Sequence, residues 1–439
     1  ETRAVATFVE SHRNIVIVQN YHTTGGVILR SPCAVGDSTL PKGHPLDYTL
    51  AIAENPHRKG MLFAGTGHAF YYSFDDGAHW TQFKDALPAA PVTWVVYEPR
   101  YHDIVVSTYG RGLFILKDIT LLEQTEQPTL PADTGTKLFA PRPGFRQARN
   151  GSAEFLFSLA AAPSAPVKME ILDAKGAVVR TQELQGGAAG LNRATWDLRY
   201  DPAKMVEIRT TPKENQYIWS EPDFSGSEIR YVTHWGIGPT TGQPIAPPGK
   251  YSVRLTIDGT AQTAPSEVLK DPMIEASVDD LVESTRMQVE IRDAIGETSG
   301  VVNRIEIIRK QIEDLVKEHR GMDDIEVPLL QLDALLLGTE HLLVTPQDLR
   351  SDEKYFADAY KVYMNLLWLG GAVGMGAGDE AGSADYRPRD VAYEILADQK
   401  RQLAEAKGKF RTHIETDIPE FNRKMSGKIP AITTAGGGQ

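Results

Sequence analysis

Asn55-Pro56-His57-Arg58-Lys59-Gly60-Met61-Leu62-Phe63-Ala64-Gly65-Thr66-Gly67 reads as a polar turn, a short apolar strand and a second turn. Phe70-Tyr71-Tyr72-Ser73 and Trp80-Thr81-Gln82-Phe83 follow as further short strands, and Leu50-Ala51-Ile52-Ala53 precedes them. The theme then returns in Thr93-Trp94-Val95-Val96-Tyr97, Ile104-Val105-Val106-Ser107-Thr108 and Gly112-Leu113-Phe114-Ile115-Leu116. Aligning Asn55-Pro56-His57 with Glu98-Pro99-Arg100 also aligns Gly65-Thr66-Gly67 with Thr108-Tyr109-Gly110, a repeat of about 43 residues. Four short strands at that period are the signature of a β-propeller blade. Roughly two blades are present, too few to close a ring.

Outward from the repeat the grammar changes on both sides. Residues 1–43 read as an α/β fragment: a helix over Thr2–His12, a buried strand over Asn14–Asn20 and a polar loop over Tyr21–Gly26. Residues 44–120 hold the closing propeller blades, and 121–152 form a Pro/Thr/Gln-rich linker. Residues 153–272 return to strands, such as Glu154–Leu159, Val167–Leu172 and Tyr251–Ile257, with turns at Asp173–Gly176 and Pro247–Lys250. That spacing predicts an immunoglobulin-like β-sandwich, carrying an aromatic-rich insertion over 202–246. Residues 273–425 switch to helices. Met287, Ile291, Ala294, Thr298, Val301, Ile305, Ile308, Ile312 and Leu315 step by four and three, as do Ala392, Leu396, Gln399, Leu403, Ala406, Phe410 and His413. Two shorter helices over Val327–Leu343 and Tyr355–Leu369 complete a predicted helical bundle, and 426–439 form a flexible tail. The fold class is thus multidomain, mainly β and then α.

Composition bounds the function. The 439 residues carry 46 Lys plus Arg against 58 Asp plus Glu, a net charge of −12. An acidic chain without a basic block is ill-suited to phosphate backbones, so nucleic acid is excluded as a partner. No run of 18 apolar residues occurs, so no transmembrane helix is expected. Cys33 is the sole cysteine, which excludes an internal disulfide framework and Cys-rich zinc sites. The chain opens on Glu1 with domain-like sequence and no signal peptide, so its start does not assign a compartment.

Few residues carry chemistry. His22 closes an apolar strand before a small polar loop, a position where a plain loop histidine and a metal ligand look alike. A zinc site needs three protein ligands, and His-x-x-Glu occurs nowhere in the chain. Ser73-Phe74-Asp75-Asp76-Gly77-Ala78-His79-Trp80 fits the S-x-D-x-G-x-x-W pattern called the Asp-box. In it the Ser73 and Asp75 side chains satisfy turn N–H groups, Gly77 permits the tight turn and Trp80 packs into the blade. This role is structural. Asp75 and Asp76 are adjacent on one turn and make no glycosidase pair, which needs carboxyls facing each other across a sugar. Arg111 reads as a turn or packing residue. Trp219, Tyr231 and Trp235 in the insertion either stack on a sugar or partner surface or pack the insertion down.

Two resemblances add expectations. Glu1-Thr2-Arg3-Ala4-Val5, Phe8-Val9, His12, Asn14-Ile15 and Tyr21-His22-Thr23-Thr24-Gly25-Gly26-Val27-Ile28-Leu29-Arg30 resemble part of a zinc metallocarboxypeptidase. That likeness implies a zinc-ligand role for His22, with the companion ligands and the general base outside the matched segment. Residues from about 45 to 425 resemble the C-terminal part of bacterial sortilin/BNR-repeat propeller proteins. The likeness rests on the Asp-box, on Ser107-Thr108-Tyr109-Gly110-Arg111-Gly112-Leu113-Phe114-Ile115-Leu116-Lys117-Asp118, on Leu191–Arg199 and Pro248–Leu255, and on Ile418-Pro419-Glu420-Phe421-Asn422. It implies an exported, extracellular or periplasmic, non-catalytic protein of binding or assembly. A protein partner or second chain would complete the propeller, and carbohydrate is a further candidate ligand. The alternative is a zinc carboxypeptidase or a propeller glycoside hydrolase whose remaining catalytic residues lie outside this chain, with zinc as the only cofactor implied.

Overall fold

The structure is a computed structural model that describes residues 17–21, 26–30, 49–83, 87–124, 135–146, 151–232, 240–346, 359–377 and 382–434. They form two compact units. The first unit takes the described residues up to Gly144, then Ser152–Trp196 and Lys250–Glu267. The second takes Phe145–Gly151, Asp197–Gly249 and the chain from Val268 onward. The first is built mainly of strands and the second mainly of helices, so the chain is β-rich and then helical.

The first unit opens with a meander. Strands β1 (Ile17–Tyr21), β2 (Gly26–Arg30), β3 (Thr49–Glu54), β4 (Leu62–Thr66), β5 (Phe70–Ser73) and β6 (Thr81–Gln82) lie in that order in one antiparallel sheet. The segment expected as a separate α/β fragment thus contributes two antiparallel strands to this sheet, joined through Leu29 opposite Thr49. A second sheet is formed by β7 (Val92–Glu98), β8 (Asp103–Thr108) and β9 (Gly112–Leu116). A one-turn helix, α1 (Thr120–Gln124), follows it.

The two sheets pack face to face. Met61, Phe63, Phe70 and Tyr72 on the first meet Val92, Val95, Ile104 and Val106 on the second in one buried cluster. Phe63, Phe70 and Phe83 stack along it at centroid distances of 6.0 and 5.2 Å. Gly65 marks the closest approach: a Cβ there would stand 2.5 Å from Val92 Cγ1 and 2.6 Å from the Val92 carbonyl oxygen. Only a residue without a side chain admits that spacing.

The rest of the unit is two further sheets. One orders β10 (Lys137–Leu138), β12 (Ala153–Leu159) and β15 (Gly190–Trp196). In the other, β13 (Val167–Asp173) lies between β14 (Val178–Leu184) and β18 (Gly249–Ile257), and β19 (Thr260–Lys270) lies beyond β18. Alternate residues point inward, among them Phe155 and Phe157 on β12 and Tyr251, Val253, Leu255 and Ile257 on β18. Trp196 on the one sheet meets Tyr251 on the other edge to face at 5.2 Å, so the apolar faces enclose a common core.

The second unit contains the short strand residues Phe145–Arg146 of β11 (Gly144–Arg146), a two-strand ribbon of β16 (Glu207–Ile208) and β17 (Arg230–Tyr231), and the helices. Helix α2 (Val278–Glu318) runs 41 residues. It starts on a capping box: Ser277 Oγ accepts the Asp280 N–H at 3.1 Å while the Asp280 carboxylate accepts the Ser277 N–H. Its buried face is the seam Met287, Ile291, Ala294, Thr298, Val301, Ile305, Ile308 and Ile312. Helices α3 (Asp323–Glu340), α4 (Val362–Ala372), α5 (Asp390–Thr412) and α6 (Ile418–Lys424) enclose it in one apolar core. A π-helical turn over His413–Asp417 joins the last two. The segment expected as an insertion, which runs between sandwich strands β15 and β18 in sequence, packs in this unit. Val206, Ile208 and Val232 lie in the helical core, and the Glu207 N–H donates to Asn303 of α2.

Candidate functional site

The turn Ser73–Trp80 is closed by its own side chains. Ser73 Oγ donates to Asp75 Oδ1 at 2.8 Å and accepts the Gly77 N–H at 2.9 Å, while Asp75 Oδ1 accepts the His79 N–H at 2.9 Å. Asp76 and Gly77 take φ values of +58° and +84°, the left-handed pair that reverses the chain. Trp80 packs beside Ile52 against Ala64, Ala69 and Tyr71. Burial pushes the Asp75 carboxyl up, but hydrogen bonds from the His79 N–H, the His79 ring and Ser73 outweigh it and hold the group below the usual range. The Ser73 hydroxyl and the Asp75 carboxylate are thus engaged in shaping the turn. Arg111, at the turn between β8 and β9, is exposed.

A denser constellation, which the sequence reading missed, surrounds Glu123 of α1. Glu123 Oε1 accepts from Asn55 Nδ2 at 2.7 Å and from the Tyr97 hydroxyl at 2.8 Å, and Oε2 lies 2.8 Å from His102 Nδ1. The His57 ring stacks on His102 at 4.3 Å, and Arg58 donates to the Leu122 and Glu123 carbonyls. Burial raises the Glu123 carboxyl, yet its hydrogen bonds from His102, Asn55 and Tyr97 bring it below its ordinary value. Burial, then the hydrogen bond to Glu123, pushes the Tyr97 hydroxyl well up. A His–Glu–Tyr set looks catalytic in isolation. Here both carboxylate oxygens are consumed by donors from the turn after β3 and from the second sheet, so the set ties α1 to both sheets. The sequence signal was the two aligned turns, each of which supplies one polar half of the network.

In the second unit, Arg309 donates to Glu306 at 2.9 Å, to Glu340 at 2.6 Å and to Asp333 at 2.9 Å. Glu306 also accepts the Thr210 N–H and hydroxyl. Burial, then repulsion from Glu306, drives the fully buried Glu340 carboxyl well above its ordinary 4.5. A groove of about 380 Å³ runs past Thr210, Arg309, Glu313 and Asp333, but these charged side chains already satisfy one another or the Thr210–Thr211 backbone. Of the insertion aromatics, Trp219 sits half-buried in the 3-10 turn Ile218–Ser220 with its indole N–H on Thr211 Oγ1 at 3.1 Å. Tyr231 lies on β17 opposite Glu207, a separate element. His22 and Trp235 fall outside the described residues. Among those described, no three His, Cys, Asp or Glu side chains are grouped to hold a metal ion, and no helix is long and apolar enough to cross a membrane.

What remains is a surface. On the β7–β9 sheet the face turned away from β3–β5 carries Trp94, Val96, Leu113 and Ile115, which are 55%, 43%, 73% and 57% exposed. Val105 and Ser107 lie between them, paired with Val96 and Ile115 and with Trp94 and Leu113 respectively. A contiguous apolar sheet face open to water marks a contact site more often than a scatter of single residues does.

No family model and no curated protein matches the chain. Two solved structures align with it in part. One is PorZ, an essential surface component of the type-IX secretion system of Porphyromonas gingivalis, at 12% identity over 57% of this chain and 36% of that one, with a TM-score of 0.15. The other is described as the extracellular domain of a hybrid two-component system from B. thetaiotaomicron, at 9% identity over 59% and 31%, with a TM-score of 0.17. The chain thus aligns with about a third of the length of each. At such TM-scores the alignments assign neither fold nor activity.

Proposed function

We propose that this chain is a non-catalytic modular protein that works by contact, through its β-rich unit, outside the cytoplasm. The observation that carries the reading is the bare apolar face of β7–β9, with Trp94, Leu113 and Ile115 open to solvent. It is supported by the state of the chemically suggestive groups. The Ser73–Asp75 turn and the Glu123 network spend their polar atoms on internal hydrogen bonds. The two stacked antiparallel sheets and the Ser73–Trp80 turn favour reading residues 49–116 as propeller-type blades of the sortilin/BNR class. The facing sheets around Trp196 and Tyr251 favour an immunoglobulin-like sandwich, and α2–α6 a helical bundle. The compartment rests on the resemblance to exported repeat propellers.

The competing reading is a hydrolase, and turnover decides between them. The purified chain, its Glu123→Gln variant and its His102→Ala variant are assayed against C-terminal peptide substrates and aryl glycosides. The expected result is no turnover above buffer in any sample. Turnover in the native chain that disappears in either variant contradicts the non-catalytic reading.

A further inference from the structure

Beyond α6 the chain turns at Gly427, which takes a φ of +80°, and then lies against α2 as an arm over Pro430–Thr434. Two side-chain carboxamides hold this arm by its main chain. Asn422 of α6 donates Nδ2–H to the Ile432 carbonyl and accepts the Ile432 N–H at Oδ1, both at 2.9 Å. Gln311 of α2 does the same for the next residue, donating to the Thr433 carbonyl at 3.1 Å and accepting the Thr433 N–H at 3.0 Å. One carboxamide reaches both groups of a residue only where they point the same way, as they do along a strand. The following residue then presents its pair to the opposite edge. The two helices therefore stand in for the flanking strands of a sheet, one on each edge of the arm.

The grip is set by the helices themselves. Gln311 Nε2 also donates to the Ile307 carbonyl one turn back at 3.2 Å, so α2 aims the other N–H and the oxygen of that side chain at the arm. Arg304, two turns before Gln311, lies over the Phe410 ring at 5.2 Å and donates to the Thr434 carbonyl at 3.4 Å. The Thr433 hydroxyl adds a bond to Gln311 Oε1 at 3.0 Å. Within Pro430–Thr434 only Ile432 is sunk in the helical core, while Pro430, Ala431 and Thr433 are exposed. Release of the arm therefore uncovers one aliphatic pocket and two aimed carboxamides, and leaves the packing of α2 to α6 in place.

Such a contact set reads a main chain, one β-branched side chain and one hydroxyl, and nothing in it is particular to this arm. We propose that the groove between α2 and α6 is a peptide-binding site. Its ligand is an extended segment of another polypeptide in which isoleucine or valine precedes threonine or serine, and the chain's own arm competes for the same seat. A second copy of the chain is the poorer source, because its matching segment faces its own groove at a far higher effective concentration. The site lies in the helical unit and does not depend on the contact reading of β7–β9.

The probe is a fluorescein-labelled peptide Ala-Ile-Thr-Thr, amidated at its C-terminus, and anisotropy reads its binding to the full chain. A seated arm lowers the apparent affinity by the fraction of chains whose groove is open. Ile432→Asp puts an ionised side chain where the core takes an aliphatic one, so that arm stays out. This chain is expected to bind the peptide at least about tenfold more tightly than the native chain. Adding Asn422→Ala or Gln311→Ala is expected to weaken binding by about tenfold, as is an N-methyl group on the first threonine of the peptide, which removes the N–H that Gln311 accepts. Circular dichroism checks the helices of each variant. If Ile432→Asp does not fold, Thr433→Pro replaces it, since it removes the same N–H from the arm and keeps Ile432. A folded open-arm chain that binds the peptide no better than the native chain overturns the proposal, as does binding indifferent to Asn422 and Gln311. Native dimers in sedimentation that the peptide dissociates overturn it in favour of arm exchange between copies.

Discussion

Glu340 shows how much a single residue can depend on its neighbours. It is buried beside Glu306, and one guanidinium, that of Arg309, serves both carboxyls. Glu306 has the Thr210 N–H and hydroxyl besides, so the proton settles on Glu340, whose pKa lies well above the ordinary 4.5. A carboxyl raised on folding gives stability that is complete below the unfolded value and is lost as pH rises through the folded one. The native chain binds more protons than the unfolded chain in that window, so raising the pH favours unfolding. The urea midpoint of the native protein is therefore expected to fall as the pH rises above the ordinary carboxylate range. In Glu340→Gln, a neutral isostere of the protonated form, this part of the fall disappears, and an undiminished slope in the variant contradicts the assignment. None of this was legible in the sequence. Glu306 and Glu340 sit on two helices 34 positions apart, as unremarkable as any surface glutamate until the fold brings both to Arg309.

At the scale of elements the sequence spoke more clearly. The strands around Met61–Gly65, Phe70–Ser73 and Ile104–Thr108 and the seam Met287–Leu315 stand where period-2 and period-3.6 patterning put them. The equivalence between the two sheets was legible only in part. An ungapped repeat of about 43 residues equates Phe63 with Val106, which is buried, whereas the hydrogen-bond register equates it with Val105. Counted from the bulges at Leu50 and Thr93, the equivalent paired positions are Glu54 with Leu62 and Tyr97 with Ile104. Between them the second connection is one residue shorter than the first, and a slip of one residue turns a strand over. Aligned by sequence alone, the covered and bare faces are therefore confused in the middle strand. The packing of the 202–246 segment was not legible: its aromatics drew attention, but Val206 and Ile208 decide its place by burying against the helices. The close approach of the sheets at Gly65 gives a prediction at this scale. Gly65→Ala forces its Cβ into Val92 Cγ1 and the Val92 carbonyl, and is expected to cost about 1–3 kcal/mol in chemical denaturation. Ser107→Ala at the equivalent position on the bare face stays within about 0.5 kcal/mol. Equal losses at the two positions contradict the stacking.

For the whole molecule, the described residues form two units built on different grammars, one of strands and one of helices. The helical unit is closed around one long seam, and its buried Glu306, Arg309 and Glu340 pair with one another. Among the described residues the β unit leaves the Trp94, Val96, Leu113 and Ile115 face of β7–β9 exposed, and the proposed contact function rests on that asymmetry between the two sheets. The resemblance to a zinc enzyme turned on His22, which lies outside the described residues, and the Ser73–Trp80 turn is a device of shape. The most direct test is a matched pair of truncations in the full chain, Phe70→Ala and Leu113→Ala, at the same register position on the two sheets. Stability to urea is the readout. Phe70 is buried against the second sheet, and its loss is expected to cost about 3–5 kcal/mol, whereas Leu113→Ala stays within about 0.5 kcal/mol. Comparable losses at both positions would mean that the face is already covered, and would contradict the account.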